Sequence, residues 1–216
     1  MPPVVIAAAY GGPEALEVVD EPTAEPGPGE ARIAVRAAGV NPADYKSYSG
    51  VFGRDPSALP LRLGSEAAGT VTQVGAGATG PAGPISVGDE VIAYRIRGGY
   101  AAELVTPAAS LVPKPQVLTW PEAAGLMLTG ATAWHCLVAT GVDAADTVLI
   151  HGGAGGVGLM ATQLAVRRGA SVVATASERH HDRLREFGAA PVTYGPGLAD
   201  RVRAAAPDGV TAALDL

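Results

Sequence analysis

Apolar and polar positions alternate in short runs along the first half of the chain. Within Arg32–Val40, Ile33 and Val35 share one face while the charged residues Arg32 and Arg36 share the other, so the pattern predicts a strand with one buried side. Turns rich in Gly, Pro and Glu separate the runs. Many short strands with frequent turns predict a β-sandwich or β-barrel. The predicted strands are Val4–Tyr10, Leu16–Asp20, Arg32–Val40, Thr70–Val74, Glu90–Arg95 and Ala101–Thr106.

The pattern changes near residue 120. Thr119 and Glu122 form a capping-box sequence with an early proline, and helical spacing then continues to about Ala139. From residue 147 strands and helices alternate, which predicts a parallel sheet covered on both faces. We therefore expect domains at 1–120 and 121–216. The predicted strands are Thr147–His151, Ser171–Ala176, Pro191–Tyr194 and Val210–Leu216, and the helices are Val157–Arg168, Glu178–Phe187 and Leu198–Ala205.

A glycine-rich segment joins the first strand and helix of this second domain. It contains the pattern G-x-G-x-x-G, which is weak alone but here follows an apolar strand and opens a helix. Such a turn admits a pyrophosphate to the helix N-terminus and predicts dinucleotide binding. The alternative is a flexible loop, whereas Leu159 excludes an NTPase P-loop, which needs Lys there. The predicted binding residues are Gly153, Ala154, Gly155, Gly156, Val157 and Gly158.

The end of the second parallel strand indicates which dinucleotide is bound. A protein that binds a dinucleotide with a free ribose 2′-hydroxyl usually carries Asp or Glu at this position. Here the strand runs into Ser177, Glu178 and Arg179, and Ser177 and Arg179 suit a 2′-phosphate. We therefore expect NADPH. The alternatives are that Arg179 is a solvated surface charge and that Glu178 is only a favourable first-turn residue.

The composition of the chain limits the kinds of partner and compartment that we expect. The chain has 216 residues, 48% of them hydrophobic, which is enough for a sizeable core. Its net charge of −6 argues against a nucleic-acid partner. No apolar run is long enough to predict a membrane span. The single cysteine, Cys136, excludes an internal disulfide and, with no basic leader at the N-terminus, favours a cytoplasmic protein.

The first predicted domain lacks the residues that zinc prefers. No His or Cys precedes His135, so we expect no zinc site there.

Five motifs in order along the whole chain closely resemble the medium-chain dehydrogenase/reductase superfamily, in its zinc-free quinone oxidoreductase branch. The resemblance implies a GroES-like β-barrel domain followed by a Rossmann domain. Zinc-dependent members of the superfamily carry Cys at the position of Asn41 and His at the position of Ser65. The motifs are Ala38–Tyr45, Leu63–Val71, Val87–Val91, Leu128–Trp134 and the glycine-rich turn.

The resemblance also implies roles for individual residues. Asn41, Asp44, Tyr45 and Lys46 match the active-site segment of the family. Asn41 would donate to the cofactor ribose or the substrate oxygen, Tyr45 would supply a proton or line the pocket, and Asp44 would orient them. The alternative is an Asn-Pro turn with incidental polar neighbours.

Two further positions are implied to touch the cofactor. Thr129 matches the position that contacts the nicotinamide carboxamide, and Tyr194 one near the adenine end. As a bare sequence feature, Thr129 is equally compatible with a helix N-cap.

These expectations combine into NADPH-dependent, zinc-free reduction of a quinone or an α,β-unsaturated carbonyl. The alternatives are an enoyl-thioester reductase and a non-catalytic NADPH-binding protein. The expected partner is a small-molecule substrate, and the full-length form is expected to be a homodimer.

The last predicted strand, Val210–Leu216, reads as the fourth strand of a Rossmann sheet that has six. We therefore expect a sheet that is incomplete at the C-terminus, and a chain that is a fragment. The alternative is a natural short form whose sheet edge is covered by another chain.

Overall fold

Antiparallel sheets build the N-terminal unit of the computed structural model, which describes residues 1–216 and divides into units 1–128 and 129–216. A five-stranded sheet has the order β10-β8-β5-β3-β9, a three-stranded sheet has the order β2-β1-β4, and β6 and β7 form a hairpin. The strands are β1 Pro3–Ala7, β2 Leu16–Asp20, β3 Glu30–Ala38, β4 Leu61–Arg62, β5 Glu66–Val74, β6 Thr79–Gly80, β7 Gly83–Pro84, β8 Glu90–Tyr94, β9 Glu103–Pro107 and β10 Leu111–Pro113. Two helices join them: α1 Pro42–Ser49 and α2 Trp120–Ala124.

Alternation along β3 matches the predicted pattern. Ile33 is fully buried against Val71, Val91 and Leu111 in the core of the five-stranded sheet, whereas Arg36 is exposed. Several predicted bounds shift. The first strand ends at Ala7 rather than Tyr10, the third ends at Ala38 rather than Val40, and β5 begins at Glu66 rather than Thr70. The earlier start of β5 matters, because it places Glu66 inside a paired strand.

The predicted helix from Thr119 to Ala139 is two helices. Thr119 and Glu122 form the expected capping box at the start of α2, with Thr119 N–H to Glu122 Oε2 at 2.8 Å. α2 ends at Gly125, and α3 runs over Met127–Ala139. Because Ala123 and Ala124 pack on Ala68 of β5, α2 belongs to the N-terminal unit. The units therefore divide after Leu128, later than the expected boundary near residue 120.

The C-terminal unit is a four-stranded parallel sheet in the order β13-β12-β11-β14. It confirms the predicted alternation of strand and helix. Buried Val148, Ile150 and Ala174 pack under one set of helices, and Val173 and Val192 pack on the other face. The elements are β11 Thr147–His151, α4 Gly156–Arg167, β12 Ser171–Thr175, α5 His181–Glu186, β13 Ala190–Val192, α6 Leu198–Ala205 and β14 Ala212–Asp215.

Several bounds in this unit differ from the prediction, and two of the differences concern candidate cofactor-binding residues. The predicted helix Glu178–Phe187 begins as a 3-10 turn, Glu178–His180, before α5. Tyr194 lies beyond β13, outside the sheet. Nowhere in the chain does a helix have both the length and the apolar character that crossing a bilayer requires.

Candidate active site

Asn41 lies at the junction of β3 and α1, in the N-terminal unit. Its backbone is extended, with φ −125° and ψ 153°, and Pro42 occupies the first helical position, where a missing N–H is tolerated. The Asp44 carboxylate accepts a hydrogen bond from the Asn41 N–H at 2.8 Å. The Asn-Pro sequence is therefore a helix start, and Asp44 holds the Asn41 backbone in place.

A second carboxylate holds the Asn41 side chain. Glu66 is fully buried, and its Oε1 accepts from Asn41 Nδ2 at 2.9 Å while its Oε2 accepts from the Leu128 N–H at 2.8 Å. A buried carboxylate requires such donors to offset the loss of water. Because Glu66 only accepts, the Asn41 amide must turn its nitrogen toward it. The second Nδ2 hydrogen has no acceptor in the structure.

Tyr100 completes this network from the loop before β9. Its hydroxyl donates to Asp44 Oδ2 at 2.7 Å. Burial of the phenol, and then its hydrogen bond to Asp44, raise the Tyr100 pKa above the ordinary value of 10.0. The phenol therefore stays protonated at neutral pH, with its hydrogen committed to Asp44. Tyr100 positions Asp44, and Asp44 in turn positions Asn41.

The structure does not bring Tyr45 or Lys46 into this network. Both lie on α1, but the Tyr45 side chain is exposed and neither side chain makes a hydrogen bond. Their catalytic roles stay predictions.

The glycine-rich turn lies between β11 and α4, in the C-terminal unit. Gly152 takes the left-handed conformation at φ +68°, so the tight turn falls one residue before the G-x-G-x-x-G pattern. Thr175 at the end of β12 anchors the turn: its Oγ1 accepts from Gly152 N–H at 3.2 Å, and its carbonyl accepts from Gly153 N–H at 3.0 Å. A Cβ on Gly158 would collide with the Gly152 carbonyl, so only glycine permits α4 to start this close to the turn.

The N-terminus of α4 presents unused donors. Gly155 is the N-cap, and its N–H donates to the Gly152 carbonyl at 2.8 Å. The N–H groups of Gly156, Val157 and Gly158 have no acceptor in the structure. No acidic residue lies in the first turn of the helix. Adjacent free amides at the positive end of a helix form an anion site, and this arrangement fits a pyrophosphate.

Two of the predicted cofactor residues sit beside this helix end. Thr129 lies in the first turn of α3 and is not its N-cap; its Cγ2 would lie 3.0 Å from a Cβ on Gly156. The side chain of Thr129 therefore borders the turn. The Ala154 residue lies within the turn itself, half-buried.

The end of β12 carries the predicted phosphate-binding pair. Ser177 follows the strand with its hydroxyl free of hydrogen bonds, and the exposed Arg179 pairs its Nε with His180 Nε2 at 3.1 Å. Glu178 is exposed at the start of the 3-10 turn rather than at the strand end. Polar donors without an acid at this place fit a ribose 2′-phosphate. Tyr194 is exposed just beyond β13, and its role near the adenine stays a prediction.

The side chains near Asn41 are a poor set of metal ligands. No group of three or more His, Cys, Asp or Glu residues is arranged to hold a metal ion. The Ser65 hydroxyl, at the position where zinc-dependent relatives carry His, is buried without a hydrogen-bond partner.

Three site residues were missed from the sequence: Glu66, Tyr100 and Thr175. Glu66 had a signal, because it is a lone carboxylate within the apolar run Glu66–Gly69. Thr175 and Tyr100 had none, since their partners are set by strand pairing and by a contact across 56 residues.

Comparisons with known proteins bear on the family of this chain. Residues 27–116 match the family profile of the alcohol dehydrogenase GroES-like domain. The quinone oxidoreductase of Pseudomonas aeruginosa is 41% identical over 186 residues, which cover 84% of this chain and 55% of that protein.

Solved structures align along nearly the whole chain. The quinone oxidoreductase of Coxiella burnetii has a TM-score of 0.87 and 32% identity, covering 100% of this chain and 68% of that one. A mycobacterial protein solved in complex with NADPH has a TM-score of 0.84 and 38% identity, covering 99% of this chain and 65% of that one.

The chain spans about half the length of the curated relatives it matches, 55% and 52% for the first two. The expected fold class, a GroES-like domain followed by a Rossmann-type parallel sheet, is confirmed. This chain belongs to the medium-chain dehydrogenase/reductase superfamily, in its quinone oxidoreductase branch.

Proposed function

We propose that this chain supports NADPH-dependent reduction of a quinone or an α,β-unsaturated carbonyl, without zinc. The observation that carries the proposal is the row of free amides at Gly156, Val157 and Gly158, at the start of a helix without an acid in its first turn. That site suits a pyrophosphate. The relative solved with NADPH supports the choice of dinucleotide.

Ser177 and Arg179 would hold the 2′-phosphate. A hydroxyl and a guanidinium both donate, and the guanidinium adds charge and a planar fork that matches phosphate oxygens. The position of both residues within four residues of the end of β12 supports this assignment. Thr129 would border the bound nicotinamide, because its side chain lies beside Gly156.

A bound nicotinamide would supply the hydride, and the protein would stabilise the charge that develops on the acceptor oxygen. Asn41 is the donor we assign to that oxygen or to the cofactor ribose. Glu66 uses one Nδ2 hydrogen and leaves the other available. Zinc-free chemistry is proposed from the ligand types, because Asn and Ser replace the Cys and His that zinc prefers.

A cytoplasmic location and a homodimeric full-length protein complete the proposal. The single cysteine, Cys136, supports a reducing compartment. Membership in the branch is the support for the dimer.

The test is steady-state NADPH oxidation by the purified chain with a quinone, an enone and an enoyl thioester as acceptors. We expect at most weak turnover of the isolated chain, and we expect it with the quinone or the enone. Turnover with the thioester alone would replace the proposal by an enoyl-thioester reductase. Tight NADPH binding without turnover on any acceptor would replace it by a non-catalytic binding protein.

Two variants assign the result to the site. Gly155→Asp keeps an allowed extended backbone at φ −74° but places a carboxylate on the free amides, so it should abolish NADPH binding. Glu17→Gln removes an exposed charge without a hydrogen bond and should change nothing. Equal NADPH binding by the two variants would contradict the assigned pyrophosphate site.

A further inference from the structure

A cavity of about 600 Å³ opens beside α1 in the N-terminal unit. Its volume lies within the range of small-molecule sites. Its wall contains Asp44, which belongs to the network that holds Asn41, and Ser65, which precedes Glu66 in the chain. Arginine, serine and apolar side chains supply most of the rest. The lining residues used below are Asp44, Ser47, Arg62, Ser65, Ile96 and Arg97.

One cation in the lining of this cavity has no ionic partner. The Asp44 carboxylate is already engaged by Tyr100 and by the Asn41 N–H. Arg62 forms an ion pair with Glu21, whereas Arg97 forms none. Asp44, Arg62 and Arg97 are the only charged residues in the lining, and because Glu21 compensates Arg62, Arg97 is the one cation without an ionic partner. The whole chain, in contrast, has a net charge of −6, which repels anions elsewhere on its surface.

Arg97 lies in the loop after β8, which has an unusual backbone conformation. Arg95 is the only non-glycine residue with a positive φ, at +58°, a conformation that side chains rarely adopt. The turn sends Ile96 into the core, and Ile96 N–H donates to the Ser65 carbonyl at 3.2 Å. Three residues after Ile96, Gly99 N–H donates to the Gly64 carbonyl at 3.0 Å. Strain of this kind concentrates at functional positions.

Ser65 supplies a donor that the fold leaves unused. Its hydroxyl is buried and has no hydrogen-bond partner, although Ser65 lines the cavity. A buried hydroxyl without a partner is unfavourable, so such groups are rare in folded proteins. Rotation between staggered rotamers would turn this hydroxyl toward a group in the cavity.

We infer that this cavity binds an anionic substituent of the acceptor, a carboxylate or sulfonate on a quinone or enone. Arg97 would make the charge-assisted contact, and Ser65 would add a neutral hydrogen bond. The inference rests on the proposed reductase function for the identity of the ring system. The anion preference itself rests on the cavity alone.

The experiment compares two ligands of the same ring system by isothermal titration calorimetry in the absence of NADPH. Anthraquinone sulfonate carries the charge, and anthraquinone carboxamide is its neutral counterpart. We expect the sulfonate to bind at least about tenfold more tightly at low salt, and the difference to shrink as salt is added. Equal affinities would overturn the inference.

Variants locate the bound anion. Arg97→Gln should remove the preference for the sulfonate, while Arg36→Gln, on an exposed arginine of β3 outside the cavity, should keep it. Equal effects of the two substitutions would show binding by general surface charge and would overturn the inference.

Arg62 and Arg97 also line a neighbouring cavity of about 330 Å³, which Ser65 does not line. Ser65→Ala therefore tests which of the two cavities binds the sulfonate. We expect it to weaken sulfonate binding several-fold without lowering the melting temperature, because it removes an unpartnered hydroxyl. Unchanged binding would exclude the larger cavity.

The outcomes also separate this inference from the proposed function. Because binding is measured without NADPH, anion preference can be present in a chain that reduces nothing. Conversely, reduction of the neutral quinone without sulfonate preference would uphold the proposed function and refute the cavity assignment.

Discussion

Glu66 fixes the amide orientation of Asn41: Oε1 of the buried carboxylate lies 2.9 Å from Asn41 Nδ2. The other carboxylate oxygen accepts from the Leu128 N–H at 2.8 Å. A residue that lies before the strand predicted from the sequence, at Thr70–Val74, therefore decides which atom of Asn41 is turned away from Glu66.

Replacing Glu66 should destabilise the protein. Glu66→Ala removes the acceptor of the buried Asn41 amide and of the partly buried Leu128 N–H, and a buried donor left without a partner costs about 1–3 kcal/mol. Glu66→Gln keeps the shape of the side chain. Its NH₂ group, however, must face one of the two donors, Asn41 Nδ2 or the Leu128 N–H, and cannot accept from it. We expect a lower free energy of unfolding for both variants in urea titrations, with Glu17→Gln unchanged. Unaltered stability of Glu66→Ala would show that the network contributes nothing.

Asn41→Asp should make stability depend on pH. The new carboxylate would face Glu66 across a hydrogen-bond distance, and repulsion between like charges raises the pKa of the pair in the folded state. A raised folded-state pKa gives stability that is present at low pH and is lost as the pH rises. We expect the melting temperature of the variant to fall between pH 5 and pH 8. Asn41→Ala, which adds no charge, is the control, and parallel pH profiles of the two variants would contradict the prediction.

Tyr100→Phe should change the alkaline limit of stability. Because the Tyr100 pKa is raised in the folded state, the unfolded chain loses this proton first, and stability falls as the pH rises above about 10. The variant has no phenol to titrate and therefore lacks this contribution to the fall in stability. It should be less stable than wild type at neutral pH, where the bond to Asp44 is missing, and should show a shallower decline above pH 10. The measurement is the unfolding midpoint in urea across this pH range; identical slopes would refute it.

The regular elements follow from local pattern. The parallel order of the second unit is predictable because each strand is a short apolar run bounded by turn residues, as in Thr147–His151. The glycine-rich turn is predictable because its motif stands in the required strand-to-helix context.

The hydrogen-bond network around Asn41 cannot be predicted from local sequence pattern. Tyr100 meets Asp44 across 56 residues, and no spacing rule connects them. The break between α2 and α3 also depends on tertiary structure, because the first turn of α3 donates the Leu128 N–H to Glu66. Bonds between distant segments exist only once the sheet has formed.

Arg179→Ala should separate the two nicotinamide cofactors. A charge-assisted contact is worth about 1.5–3 kcal/mol, so NADPH binding should weaken roughly 10- to 150-fold while NADH binding stays nearly constant. Arg185→Ala, on an exposed arginine of α5 paired with Asp182, is the matched control. Dissociation constants from nicotinamide fluorescence give the measurement. Equal losses for both cofactors would remove Arg179 from the phosphate site.

At the start of α4, a substitution that increases thermal stability is expected to decrease phosphate binding. Its N-cap is Gly155, without a side chain to accept the free amides, and its first turn has no acid. Asp or Ser at an N-cap commonly adds about a few tenths of a kcal/mol over glycine, so thermostabilisation by helix capping would target this position. The oxygen of the new side chain would then accept hydrogen bonds from the free amides that are available to a phosphate. The heat tolerance of this helix and its affinity for phosphate are therefore opposed, and the natural sequence favours affinity.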